Sequence, residues 1–361
     1  MSLSVTHVLP SLTVGGAETF AVQLAEHQLN AGLDVHLLCL TAGGPLYDRL
    51  SPELSARTRV IGKRWRYDAR VLPRAAAQLR RWAPEVVHTH LFTGLAWGGV
   101  ATRLAGRAAW VHTQHAAHPE ERPLVRALER RLYAQVDGHV ACSPSAARFL
   151  EEGGYTSGPV QVIENGIPLA GRRRAALAGA PPIIGTVGRL TAIKGQGALI
   201  QAIALLRDRG ADLRLVIMGG GELEADHRAL IERLNLQDRV TLTGPVSDVA
   251  ERLADLDLFV LPSLSEALPL ALLEACAAGL PVLVTSKGGA RIVVEQGAGG
   301  WTVDPGDAAV LAEALARFVA LNREQRLELG AASRRVVEER YALGVCAERY
   351  LVAYRAARSA R

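Results

Sequence analysis

Lysine is nearly missing from this chain. Of its 41 basic residues three are lysine (Lys63, Lys194 and Lys287) and the rest are arginine. Generic positive charge is supplied by arginine, so a surviving lysine is a candidate for work that needs a compact point charge. Cysteine is scarce as well. Cys39, Cys142, Cys276 and Cys346 stand far apart in no paired spacing. That excludes a disulfide framework and a cysteine zinc site, and fits reduced thiols in a cytoplasm. No uncharged apolar run reaches about 18 residues, so no membrane span is expected. The opening MSLSVTHVLP lacks a basic stretch followed by an apolar core. No signal peptide is therefore expected, and the chain is expected in the cytoplasm.

What is present suits two domains of ordinary size. The chain has 361 residues, 49% of them hydrophobic and 21% charged, which gives real cores and argues against disorder. Short apolar runs alternate with longer helical stretches, the pattern of α/β architecture with parallel sheets. In the first half, Val5–Leu9, Val35–Leu40, Val86–Thr89, Trp110–Thr113 and Gly138–Cys142 read as strands. In the second, Ile183–Val187, Leu213–Met218, Val240–Thr243, Leu258–Leu261 and Val282–Thr285 do so. Two doubly wound, Rossmann-like sheets in succession are expected: residues 1–168, then a linker over 169–181 rich in Ala, Gly, Pro and Arg, then residues 182–344. The last segment, 345–361, reads as an amphipathic helix carrying Tyr350 and Tyr354, expected to cross back onto the first domain. A cleft at the carboxyl ends of both sheets is the expected ligand site.

The most informative stretch is PSLSEALPLALLEACAAG, Pro262 to Gly279. It follows an apolar run and places Glu266 just before, and Glu274 just inside, an expected helix. Pro269 suits the first helical turn and Gly279 the end. Backbone N–H groups at such a start can hold an anion. Glu274 stands about 8 Å along the axis. One carboxylate can face the reacting end of a bound phosphate ester and the other its alcohol-rich end, which suggests a sugar nucleotide.

Other motifs support that reading. Gly185-Thr-Val-Gly188-Arg189-Leu190, followed by Lys194-Gly195, sits between a strand and the helix Gln196–Asp208. Arg189 offers a planar fork of donors and Lys194 a mobile point charge, a pair able to grip a diphosphate. A diphosphate gains about one unit of negative charge as a sugar leaves it, and fixed cations stabilise that change. Gly15-Gly16-Ala17-Glu18 opens a helix after the first strand, where a bare backbone can approach a ligand. His88-Thr-His90 and His112-Thr-Gln-His115 end two strands; such histidines either bond a sugar hydroxyl or are structural. No carboxylate or cysteine stands at ligand spacing beside them, so no metal is expected. Gly219-Gly-Gly221-Glu222 lacks the third glycine of a dinucleotide fingerprint, so NAD is not expected. Asp255-Leu-Asp257 reads as a helix end with solvated charge. The cluster Lys63-Arg64-Trp65-Arg66-Tyr67, with Arg70, Arg74, Arg80, Arg81 and Trp82, is either a solvated basic face or a contact for an anionic membrane surface or phosphorylated acceptor.

Taken together, these residues resemble the retaining GT-B glycosyltransferases of family four (glycosyl transferases group 1), over nearly the whole chain. The two-glutamate motif is matched by Glu266 and Glu274, the GRL…KG segment by Gly188–Leu190 and Lys194-Gly195, and the GLPV segment by Gly279–Val282. GGAE is matched by Gly15–Glu18, HTH by His88–His90, T-x-H by Thr113–His115, and N-G-I by Asn165–Ile167. The resemblance implies that Arg189 and Lys194 bind the donor diphosphate and Glu274 the ribose. It implies that Glu266 contacts the donor sugar near the reacting carbon, Leu270 N–H the phosphate, and that Val246 lies near the base. His115 would lie on the acceptor side. The implied chemistry is metal-independent and cofactor-free, with front-face substitution and retained anomeric configuration. A UDP-sugar is the expected donor, and a glycan or lipid-linked saccharide the expected acceptor. A soluble small-molecule acceptor, a non-catalytic sugar-nucleotide binder and a sugar-nucleotide epimerase stand as alternatives; nucleic acid is not an expected partner.

Overall fold

The computed structural model describes residues 3–65, 68–115, 123–156, 158–169, 181–246, 248–264, 266 and 268–361. The chain forms two compact units, Met1–Pro168 with Leu343–Arg361, and Leu169–Ala342. All but the two ends of the expected linker lie outside the described residues.

The first unit holds seven strands: β1 (Ser4–Leu9), β2 (Asp34–Cys39), β3 (Thr58–Val60), β4 (Val86–His90), β5 (Ala109–Gln114), β6 (Gly138–Ala141) and β7 (Val160–Val162). They form a parallel sheet in the order β3-β2-β1-β4-β5-β6-β7. The second unit holds β8 (Ile183–Val187), β9 (Arg214–Met218), β10 (Val240–Gly244), β11 (Leu258–Leu261), β12 (Val282–Thr285) and β13 (Gly300–Val303), in the order β10-β9-β8-β11-β12-β13. Both sheets reverse their strand order once, beside β1 and beside β8. Loops at the carboxyl ends there diverge and leave room for a ligand.

Central strands are buried on both faces, as parallel sheets covered by helices require. Every residue of β4, β11 and β12 is buried. Leu199, Ile203, Leu215, Ile217, Leu258 and Phe318 build the second core. In the first unit the long terminal helix Leu343–Ser359 packs on helix Gly16–Asn30 and on β5 and β6. It brings Tyr350 and Tyr354, both fully buried, against the sheet.

Strand starts are pinned by acids. Asp257 is fully buried, and its Oδ2 accepts a hydrogen bond from Ile183 N at 2.8 Å. Asp137 accepts from Trp110 N at 2.8 Å and Glu85 from Ser4 N at 3.0 Å. Asp257 is therefore no solvated helix end: it satisfies the first free N–H of the neighbouring strand, a group that would be costly to bury alone.

Candidate active site

In the second unit three loops at the strand carboxyl ends are tied together. After β8, Gly188 N donates to Met218 O and Leu190 N to Gly220 O, both at 3.0 Å. The triple-glycine segment 219–221 thus holds the Gly188–Leu190 loop. After β11, Leu264 N donates to Ile193 O at 2.7 Å. After β12, Gly289 N donates to Glu266 O at 2.8 Å. Two glycines make these approaches possible. Gly195 has φ +67°, and a Cβ there would meet Pro262 O at 2.2 Å; Gly288 has φ +74°, and a Cβ there would meet Glu266 O at 2.0 Å. Only glycine combines that backbone with that clearance.

The tied loops bring Lys194 to Glu266. Lys194 Nζ donates to Glu266 Oε1 at 2.5 Å, and Ser263 Oγ donates to the same oxygen at 2.6 Å. The Glu266 side chain is only 11% exposed, yet its Oε2 has no hydrogen-bond partner among the described residues. A mostly buried carboxylate with one committed and one open oxygen can accept from a ligand hydroxyl. Its neighbours Ser265 and Ala267 lie outside the described residues.

Arg189 is exposed, and among the described residues no acid pairs with it. Gln196 Nε2 donates to Arg189 O at 3.1 Å, which fixes its backbone while the guanidinium stays available. Gly188 and Lys194 share this loop, so the candidate cations and Glu266 lie within one set of stitched loops. Glu274 is on the helix Leu270–Ala277, whose cap is Pro269, one position outside the expected first turn. It is half-buried, and burial raises its carboxyl above the usual range. Leu270 opens that helix, and Val246 follows β10; both are half-buried.

The first unit carries a buried histidine network. His7 on β1 is registered with His88 on β4. Side chains alternate along a strand, so His90 and the β5 residue Thr113 share that face. His7 Nδ1 lies 3.2 Å from His90 Nε2, and His90 Nδ1 lies 3.1 Å from His115 Nε2. His7 Nε2 meets Gln28 Oε1 at 2.8 Å. His88 bonds Tyr354 OH at 2.8 Å and Thr113 Oγ1 at 2.7 Å. His112 faces the other way, onto Thr89 Oγ1 at 2.9 Å. Burial lowers His7 and His115 to about 4 and His112 to about 3, and holds His88 and His90 well below the ordinary imidazole value. The network is neutral at neutral pH.

The nearest ligating atoms of His7, His88 and His90 lie within 4.8 Å of one another. All six of their ring nitrogens, however, already have protein hydrogen-bond partners. The arrangement is a hydrogen-bonded network, with no lone pair left over for an ion. Gly16 opens helix Gly16–Asn30 with open space at its α-carbon. The sequence gives no sign of His7, Gln28 or the pairing of Tyr354 with His88, because a single histidine in an apolar strand carries no signal until the strand order is known.

The basic cluster is partly self-satisfied. Lys63 Nζ sits 4.7 Å from the Trp97 ring centre, Arg70 stacks at 4.6 Å on Trp65 and bonds the buried Asp68, and His36 covers Trp82 at 4.5 Å. Trp65 is 55% exposed; Arg66 and Tyr67 lie outside the described residues. Among the described residues no helix is long and apolar enough to cross a membrane.

Comparisons with known proteins agree with this architecture. Residues 171–336 match the family model "Glycosyl transferases group 1", and residues 14–170 match "Glycosyltransferase Family 4". The chain is 30% identical over 346 residues to the D-inositol 3-phosphate glycosyltransferase of Nocardia farcinica, covering 83% of this chain and 76% of that one. It is 37% identical over 161 residues to the putative colanic acid biosynthesis glycosyltransferase WcaL of Escherichia coli K12, a stretch of 42% of this chain but only 40% of that relative's length. The fold of Anabaena HepE, solved with UDP and glucose, superposes with a TM-score of 0.81 at 20% identity, covering 97% of this chain and 98% of that one. The chain has the GT-B fold and belongs to the group 1 glycosyltransferases.

Proposed function

We propose that this protein moves a sugar from a nucleotide donor, a UDP-sugar first, to a hydroxyl of a glycan or lipid-linked saccharide, with retained anomeric configuration. The observation that carries the reading is the Lys194–Glu266–Ser263 cluster, with Arg189 exposed on the same loop system and paired with no acid among the described residues. Lys194 and Arg189 grip the diphosphate and stabilise the charge it gains as the sugar departs. Glu266 orients the sugar through its open oxygen, Leu270 N–H touches a phosphate, Glu274 takes the ribose diol, and Val246 lies against the base. The acceptor oxygen attacks from the face the diphosphate leaves, and a phosphate oxygen takes its proton. The fixed cations replace a metal in this scheme.

The HepE structure was solved with UDP and glucose, which favours UDP here. WcaL is named for colanic acid biosynthesis, which favours a saccharide acceptor. The relative named for inositol phosphate favours a second reading, transfer to a small soluble alcohol. The test is a panel of UDP-, GDP- and ADP-sugars, each with saccharide and small-alcohol acceptors, scored by nucleotide release. Release that depends on one donor and one acceptor class is expected; no release and no binding with any donor overturns the proposal.

A further inference from the structure

The histidine network has a direction, and one buried amide sets it. Gln28 is 1% exposed; its Nε2 donates to Tyr354 OH at 3.4 Å and its Oε1 faces His7 Nε2 at 2.8 Å. An amide oxygen only accepts, so His7 carries its proton on Nε2. A neutral imidazole has one donor and one acceptor. His7 Nδ1 is therefore an acceptor, and His90 Nε2–H donates to it across 3.2 Å. His90 Nδ1 is in turn an acceptor, and His115 Nε2–H donates to it across 3.1 Å. The relay ends at His115 Nδ1, a bare lone pair that is buried and has no partner among the described residues.

We propose that Gln28, His7 and His90 are positioning residues that lock His115 in the Nε2–H tautomer, so that its Nδ1 presents a hydrogen-bond acceptor to a substrate hydroxyl. The role of His115 toward a sugar hydroxyl rests on the function proposed above; the locked tautomer does not. Burial keeps all three rings neutral, so each link has a single donor and the direction passes along the chain without loss. A free His115 in water would divide its time between two tautomers. The relay removes that freedom before substrate arrives, which is preorganisation of the kind that favours reaction. A lone pair suits a hydroxyl, which has a proton to give, and repels a carboxylate, which has none.

Side-chain nitrogen-15 spectra of the full chain, labelled at histidine, read the tautomer directly. All three relay histidines are expected as Nε2–H with unprotonated Nδ1. His115 protonated on Nδ1, the signature of a reversed Gln28 amide, or an even mixture at His115 overturns the relay. Gln28→Leu removes the terminal acceptor, and Gln28→Glu keeps it. In Gln28→Leu the His115 tautomers are expected to mix, and turnover to fall about tenfold, the scale of one lost hydrogen bond. Gln28→Glu is expected to restore both. Should Gln28→Leu unfold, His7→Phe cuts the relay one link later and is read in the same way. Mixed tautomers with wild-type turnover separate the two claims: the relay stands, and His115 does not serve the reaction. An unchanged His115 spectrum in every folded variant rejects the relay.

Discussion

Lys194 Nζ and Glu266 Oε1 meet at 2.5 Å although 72 residues separate them in sequence. The pair joins the loop after β8 to the loop after β11, the two neighbouring strands at which the second sheet reverses its order. It sets a cation that can hold a leaving diphosphate beside an acid that can hold the departing sugar.

Glu266→Gln keeps the shape of the side chain and removes its charge. Turnover is expected to fall by about a hundredfold, the scale of losing one preorganised electrostatic partner. UDP affinity is expected to change by less than about threefold, because the ribose and phosphate contacts are elsewhere. Steady-state kinetics beside calorimetric titration check both; unchanged turnover refutes the assigned role.

Arg189 and Lys194 have separable parts. Lys194→Ala frees Glu266 from its partner as well as removing a cation, so it is expected to damage turnover and donor binding together. Arg189→Ala removes only an exposed cation and is expected chiefly to weaken diphosphate binding, about tenfold for one charge-assisted hydrogen bond. The loss should be absent with uridine, which has no phosphate. A similar loss with uridine contradicts the assignment.

Glu274 is raised above the ordinary carboxyl range by burial. A ribose diol donates its hydrogens, so it binds the ionised carboxylate and competes with the proton. Uridine affinity is therefore expected to strengthen as pH rises through the raised value, and the trend should vanish in Glu274→Gln. Uridine avoids titration of the phosphate itself. A wild-type pH profile as flat as that of the variant places the ribose elsewhere.

The fold class was legible because parallel strands buried on both faces must be continuous apolar runs, as in Leu258–Leu261 and Val282–Thr285. The sheets extend further than those runs showed. β3, β7 and β13 lie at sheet edges and are short and partly exposed, with residues such as Arg59 and Gln161, so they carry no such run. Arg189 and Lys194 are legible as charges beside glycines at a strand end, and Glu266 as an acid just before a helix start. Their mutual geometry is not: the Lys194–Glu266 pair depends on the adjacency of β8 and β11, which sequence spacing does not encode. The same holds for Asp257, whose partner Ile183 is on another strand. His7 and Gln28 are 21 residues apart and become partners only once the helix has folded back across the sheet.

The neutral histidine network makes the first unit sensitive to acid. In the folded chain His7 and His115 are lowered to about 4; unfolded, each returns to about 6.5. Between those values the unfolded chain binds protons that the folded chain refuses. Stability is therefore full above about pH 6.5 and falls as pH drops toward 4, by up to about 1.4 kcal/mol per pH unit for each such histidine. Thermal melts from pH 7.5 to 5 should show a steep decline that is blunted in His7→Phe. Equal slopes in the two proteins contradict a neutral buried network.

The decisive check on transfer with retention is a proton NMR time course of the full chain with an α-linked UDP-sugar and its acceptor. UDP is expected to be released stoichiometrically, with a product whose first-formed anomeric signal is α. A β-linked product, or a donor rearranged without release of its nucleotide, contradicts transfer with retention.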